Sequence, residues 1–360
     1  MWIYYLFFFL IFVVYFNIKG RQNQLSAQKS IDKYINFVFI ALWLLIGMRD
    51  INIGRDTLGY VSEFHNSTSL QFISDKKLDE PLYVYFEFVI RQITSNYHVF
   101  LMCASASICF AIRAIMKKYF TMSYEVVASI CIYTLLGILS FNMAGIRQTI
   151  AMSLGIFAFI SINNGKWKTS LLLIAIAYLF HNTAMLLLVL LPLHFIKVDK
   201  TATIVAIAFI VVSIMVPSLV SGFLGGVIES DDYHYAGYDL SAEGQSLTAF
   251  SLQLILVGIA FFRRKQIALP EDTKRMFFMM AYIGLAFQAT SGVLFEMFRV
   301  SFYFSMFDIV LVPLALSTFK GSDSSFIKTA FILGCLVYIF ILANGDATLP
   351  HPQNYQIILE

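Results

Sequence analysis

The sequence predicts an all-α, polytopic transmembrane bundle of about twelve spans, within a range of roughly ten to thirteen, given that a helix needs about 20 apolar residues to cross a bilayer. Three observations predict it. Hydrophobic residues make up 59% of the 360 and charged residues only 13%, about half the roughly 25% of a soluble domain. Mean hydropathy is +0.76. The apolar runs are long and continuous rather than alternating, and in hydrocarbon the backbone must satisfy its own hydrogen bonds, so they read as helices and not as barrel strands. So much apolar surface exceeds what one water-facing core can hold, which excludes a cytosolic enzyme, a disordered chain and a disulfide scaffold.

The first run, Trp2 to Phe16, has no basic leading region and no small-residue cleavage site, so it reads as a retained helix rather than a signal peptide. Further runs cover about 34–48, 98–116, 126–141, 146–162, 168–180, 183–196, 203–221, 248–262, 276–294, 300–319 and 327–343. Segment 82–94 contains Glu87 and Arg91 and is expected to lie in the membrane interface rather than to cross. The four cysteines, Cys103, Cys109, Cys131 and Cys335, sit in apolar runs without metal spacing and read as small core residues with no disulfide. The net charge of +3 gives no pointer to nucleic acid, and no such partner is expected.

Basic residues orient the chain. Loop 17–33 carries Lys19, Arg21, Lys29 and Lys33. Later basic joints are Arg113/Lys117/Lys118, Lys166/Lys168, Lys197/Lys200, Arg263/Arg264/Lys265/Lys274/Arg275 and Lys320/Lys328. All fall inside if both termini are outside and 82–94 does not cross. The outer face then receives loop 49–81, the joints at Arg147, His181 and Glu296/Arg299, and loop 222–247. That last loop holds Glu229, Asp231, Asp232, Asp239 and Glu243 and no Lys or Arg. Residues 168–196 read as one long helix or two short ones. The charge bias favours two, broken at His181-Asn182-Thr183. With no repeat and no linker, residues 1–360 read as a single membrane domain with external loops 49–81 and 222–247.

The chain has no P-loop, no G-x-G-x-x-G, no H-E-x-x-H and no G-x-S-x-G, so ATP-driven pumps, zinc proteases and rhomboid-like proteases lose their sequence support. Polar clusters at the outer helix ends remain. Arg49, Asp50, Arg55, Asp56 and Tyr60 can bind a phosphorylated or sugar head group, or can be a solvated loop whose charges pair. Arg147 and Gln148 lie between two apolar runs, where the arginine needs an anion, a carboxylate or water, or snorkels to the interface. His181 can exchange a proton near neutral pH or can be a satisfied core histidine. Glu296 and Arg299 stand at i, i+3 with Tyr303 one turn on, as part of a site or as a structural ion pair. Asp308, inside an apolar run, reads as a proton relay or, more simply, as bonded to a neighbouring helix.

Taken in order, these pieces resemble the EpsG family of Wzy-like bacterial surface polysaccharide polymerases. They are Arg49 with Gly54-Arg55-Asp56-Thr57-x-x-Tyr60; Glu80-Pro81-Leu82-Tyr83; Gly145-Ile146-Arg147-Gln148-x-Ile150-Ala151; Ile176-Ala177-x-x-Phe180-His181-Asn182-Thr183-Ala184; and Arg299 with Tyr303 and Pro313. Asn182-Thr183 departs from the family's small residue and Ser but keeps the hydroxyl.

The resemblance implies a multi-pass glycosyltransferase of the bacterial plasma membrane, active on O-antigen, capsule or exopolysaccharide. It would join oligosaccharide repeat units carried on undecaprenyl diphosphate at the outer side of the bilayer. It further implies work beside a chain-length regulator and a flippase, and no cofactor or metal. In that chemistry Arg147, Arg299 and Arg49 would hold the diphosphate leaving group, and His181 or Asp56 would activate the acceptor hydroxyl. Arg55, Tyr60, Glu80, Gln148, Glu296 and Tyr303 would line the substrate. Arg147, His181 and Arg299 are expected to meet in one outward cavity. The rival classes are a flippase or exporter of lipid-linked sugar, which predicts repeated halves and mid-membrane charges, and a membrane acyltransferase, which predicts a deeply placed histidine.

Overall fold

A computed structural model of the chain describes residues 2–19, 24–75, 80–195, 211, 243–291, 296–321 and 323–344. The expected span 203–221, apart from Val211, and most of loop 222–247 lie outside the described residues. What is described is helical, with no strand.

The chain divides into two compact units, Met1–Leu188 with Phe319–Glu360, and Val189–Thr318. The first contains α1 (Trp2–Lys19), α2 (Gln24–Gly47), α3 (Thr57–Asn66), α4 (Leu70–Asp75), α5 (Pro81–Ile93), α6 (Tyr97–Tyr119), α7 (Ser123–Leu135), α8 (Ile138–Ala144), α9 (Ile146–Asn163) and α10 (Trp167–Phe180). A 3-10 turn follows α10 over Asn182–Val189. The second contains α11 (Leu190–Phe195), α12 (Glu243–Arg263), α13 (Glu271–Thr290), α14 (Glu296–Ser305) and α15 (Asp308–Ser317). The chain then returns to the first unit through α16 (Asp323–Asn344).

The expected twelve spans are not what the described helices provide. Four are long and apolar enough to cross a membrane: Gln28–Gly47, Tyr97–Tyr119, Ile146–Asn163 and Ser324–Ile341. Up to six spans result if α7 with α8, bent by 61°, and α14 with α15, bent by 47°, each count as one. Continuous apolar sequence hides backbone breaks. The run at 126–141 is cut at Gly137, which takes φ +73°, a left-handed value that suits glycine. The runs at 168–180 and 183–196 give only the short helices Trp167–Phe180 and Asn182–Phe195, separated at His181 as the charge bias predicts. Ile3–Ile18 and Thr248–Arg263 are short as well. Loop 49–81 is largely helical, through α3 and α4, and α12 begins at Glu243 rather than at 248.

Local sequence accounts for the helix starts that matter below. The Asn96 side chain accepts the His98 N–H and caps α6, while Lys117 and Lys118 end the same helix, where cations complement the carbonyl end. Glu125 accepts the Thr121 and Met122 N–H groups at 2.7 and 2.9 Å ahead of α7. Pro81 opens α5, where no backbone donor is needed. A buried cluster of Phe64, Tyr83, Phe100, Leu101, Ile146 and Ile150 joins α3, α5, α6 and α9. It fixes the start of α9 against α3 and α5. α5 also leaves Tyr85, Val89 and Ile93 exposed at i, i+4 and i+8.

In the second unit, polar side chains link the helices. Gln253 Nε2 on α12 donates to Asp308 Oδ2 on α15 at 2.9 Å, so Asp308 takes the structural option, a bond to a neighbouring helix. Ser301 Oγ on α14 donates to Gln288 Oε1 on α13 at 3.0 Å. Arg263 donates to the Thr318 hydroxyl and carbonyl, each at 2.8 Å, at the C-terminal end of α15. Cys109, Cys131 and Cys335 are buried as expected, whereas Cys103 is exposed.

Candidate functional site

Two glycines shape the approach to Arg147. Gly145 ends α8 and starts α9, and a Cβ there would meet the Phe141 ring at 2.8 Å. Gly54 takes φ +89°, and a Cβ there would lie 2.4 Å from the Met143 carbonyl oxygen. Thr57 completes the contact, its hydroxyl lying 2.6 Å from the Ile53 carbonyl and 3.1 Å from that of Met143. The Gly54…Thr57 motif therefore docks the start of α3 onto the α8–α9 junction. Asn142 at that junction links to the Tyr133 hydroxyl at 2.6 Å and the Thr149 hydroxyl at 3.1 Å.

Arg147 is the second residue of α9. The first N–H groups of a helix have no intrahelical acceptor, so its position already favours an anion. Its guanidinium meets a carboxylate at each terminal nitrogen and has two aromatic rings close by. Nη1 donates to Glu80 Oε2 at 3.0 Å and Nη2 to Glu63 Oε2 at 3.4 Å. The Tyr60 and Tyr83 rings lie 5.4 and 5.0 Å from its central carbon, within cation–π range. The two rings meet edge to face at 5.8 Å. The Tyr83 hydroxyl donates to the buried Glu87 at 3.0 Å. Burial first, and then the Glu87 charge, hold the Tyr83 phenol well above its usual value, so it stays a donor.

Glu80 joins the two principal candidates. Its Oε2 meets Arg147, and its Oε1 meets His181 Nδ1 at 2.5 Å and the Asn182 N–H at 3.4 Å. It sits just before α5, with its side chain 9% exposed. Burial pushes its carboxyl up, but the bonds and charges of His181 and Arg147 outweigh burial, and it lies below its ordinary value. His181 caps the end of α10 in an extended conformation, its N–H bonded to the Ala177 carbonyl at 2.9 Å. With Nδ1 facing the carboxylate, Nε2 is the ring nitrogen left to take a proton.

Sequence reasoning brought Arg147, His181, Glu80 and Tyr60 forward, and these four share one cluster. It missed Glu63 and undervalued Tyr83. A signal existed for Glu63: Tyr60 and Glu63 stand at i, i+3 on α3, so they share a face. Four other expected residues, Arg49, Arg55, Asp56 and Gln148, also belong to the first unit. Arg49 is 1% exposed, donates to the Ile46 carbonyl at 2.7 Å and lines a small cavity with Ser105, Asn142, Ile146 and Thr149. Arg55 is exposed, Asp56 is half-buried at the start of α3, and Gln148 is buried. Arg299 is half-buried and Tyr303 buried on α14 in the second unit, and the Glu296 side chain lies outside the described residues. Among the described residues no group of three or more His, Cys, Asp or Glu could hold a metal ion.

A family model described as the EpsG family matches residues 32–357, nearly the whole chain. The chain belongs to the EpsG family. This is a Wzy-like polysaccharide polymerase family, and membership together with the apolar helices makes the chain a membrane protein of polysaccharide biosynthesis. No match is found among curated proteins or among solved structures. The EpsG match spans both units, so Arg147 and His181 in the first and Arg299 in the second all fall within it.

Proposed function

We propose that this EpsG-family protein polymerises oligosaccharide repeat units carried on undecaprenyl diphosphate, at the outer side of the bacterial plasma membrane. The observation that carries the reading is the carboxylate of Glu80, shared between a guanidinium fork and an imidazole. Glycosyl transfer from a lipid diphosphate needs those two functions close together. An acceptor hydroxyl oxygen bonds to the anomeric carbon of the donor chain. The bond from that carbon to the diphosphate oxygen breaks, and the lipid diphosphate leaves with the electron pair. The acceptor proton passes to His181 Nε2, with Glu80 holding the imidazole through Nδ1. Arg147 takes the charge that develops on the leaving diphosphate through its planar donor fork. Tyr60 and Tyr83 flank the guanidinium within cation–π range. No nucleotide sugar takes part.

Within this reading His181 is preferred to Asp56 as the base, because His181 shares a partner with Arg147. Arg49 supports the α8–α9 junction from its buried position. A chain-length regulator and a flippase are the partners the reading calls for. Complementation of a bacterial strain lacking its own polymerase for the same repeat unit tests it. Long polysaccharide, seen as a ladder on a gel, is expected. A single repeat unit on lipid would instead point to transport of lipid-linked sugar, and unchanged length with altered acylation to an acyltransferase.

A further inference from the structure

The guanidinium of Arg147 is already occupied by carboxylates, and the two are not equivalent. Glu80 is 9% exposed and fixed from its other oxygen by His181 and the Asn182 N–H. Glu63 is 35% exposed and makes the longer contact, 3.4 Å against 3.0 Å. A guanidinium takes an anion in its own plane, through its N–H donors. The side held less tightly is the one formed by Nε and Nη2, where Nε has no hydrogen-bond partner among the described residues and Nη2 has Glu63 at 3.4 Å. A carboxylate and a phosphate present similar oxygens to a guanidinium, and both pair with it in the same planar manner.

We propose that Glu63 is a built-in competitor for the anion position on Arg147: it holds Nη2 when the site is empty, yields it to the diphosphate of the lipid carrier, and returns as that group leaves. The inference rests on the reading that Arg147 takes the diphosphate. It adds a determinant of affinity and release that the sequence did not single out. A membrane-face arginine without a competitor would bind its own product tightly, because a charge-assisted fork in a partly desolvated site is a strong anion trap. Glu63 lowers affinity for substrate and product alike, and so favours turnover over retention. Glu80 cannot play this part, since moving it would also release His181.

Inorganic pyrophosphate, titrated calorimetrically into the purified full-length protein in detergent, is the probe. Removing the competing carboxylate should tighten binding by about fivefold in Glu63→Gln, the equivalent of a partly exposed ion pair at the upper end of its usual range. Glu63→Ala should show the same gain, and thermal melts show whether both variants are folded. A gain in affinity is not something a merely damaged helix produces. Arg147→Lys should lose most of the binding in the same assay. Unchanged or weaker binding in folded Glu63→Gln and Glu63→Ala, with binding still lost in Arg147→Lys, overturns the competitor role and leaves the reading of Arg147 standing. No pyrophosphate binding in any protein, or undiminished binding in Arg147→Lys, overturns that reading and the competitor role with it.

Discussion

At the scale of single residues, Glu80 makes the sharpest demand. Its carboxylate accepts from Arg147, His181 and the Asn182 backbone, and losing charged hydrogen bonds of this kind costs about 1.5–3 kcal/mol. Glu80→Gln should therefore lower thermal stability in detergent and should abolish long polysaccharide. The sign of its pH dependence follows from the direction of its shift. The folded carboxyl lies below its ordinary value, so its stabilisation is fully present above the free-chain value of about 4.3 and fades as pH falls through the lower folded value. The stability gap between wild type and Glu80→Gln should stay open down to about pH 4 and close only below it. A gap already closed near pH 6 would mean that burial, not His181 and Arg147, dominates at Glu80. His181→Gln keeps a hydrogen-bonding side chain but cannot move a proton. If His181 is the base, His181→Gln should fail as completely as His181→Ala when chain length is read on a gel. Normal chains from His181→Gln would reduce His181 to an orienting residue.

At the scale of elements, the candidate site depends on how α3 and α5 meet the start of α9. Gly54 takes a left-handed φ and faces the Met143 carbonyl oxygen. Gly54→Ala therefore combines backbone strain with a clash against backbone and should cost roughly 2 kcal/mol or more. The loss should appear as a lower melting temperature, and an unchanged one would mean that α3 does not dock through this turn. Asp308 sits at a helix bend with only the Gln253 amide on Oδ2, while Oδ1 has no hydrogen-bond partner among the described residues. Asp308→Asn keeps an oxygen for Gln253 and removes a buried charge, so it should melt at or above wild type. Asp308→Ala strands the amide and should cost about 1–3 kcal/mol. The sequence showed these elements unevenly. The break at His181 was legible because basic residues on either side of 168–196 fixed the parity. The bend at Gly137 was not, because the run around it stays apolar through the turn and hydropathy does not register φ. The helices in 49–81 were also hidden. α3 buries only one residue per turn, Thr57, Val61 and Phe64, and reads as polar loop.

At the scale of the whole molecule, composition alone gave an apolar helical protein, but it overstated how many runs become full spans. A run of apolar residues records burial or lipid, not an unbroken backbone. The candidate site was half legible. Arg147 and His181 stood out as polar residues at the ends of apolar runs, whereas the carboxylates that hold them lie 67 and 84 residues from Arg147 in sequence, a pairing that only the fold creates. Topology remains the link between this site and an exported substrate. Segment 222–247 carries five acids and no Lys or Arg, so a reporter fused at Asp239 should be active only as an exported fusion; activity in the cytoplasmic form would invert the later half of the chain. The most direct measurement is polysaccharide chain length in a polymerase-deficient strain carrying wild type or Arg147→Lys at equal membrane levels. A lysine keeps the charge but not the planar fork, and losing a contact made to the departing group costs roughly 2.7–4 kcal/mol, about 10²–10³ in rate. The expected result is a full ladder from wild type and single repeat units from Arg147→Lys. A full ladder from Arg147→Lys would contradict the assignment of Arg147 to the diphosphate.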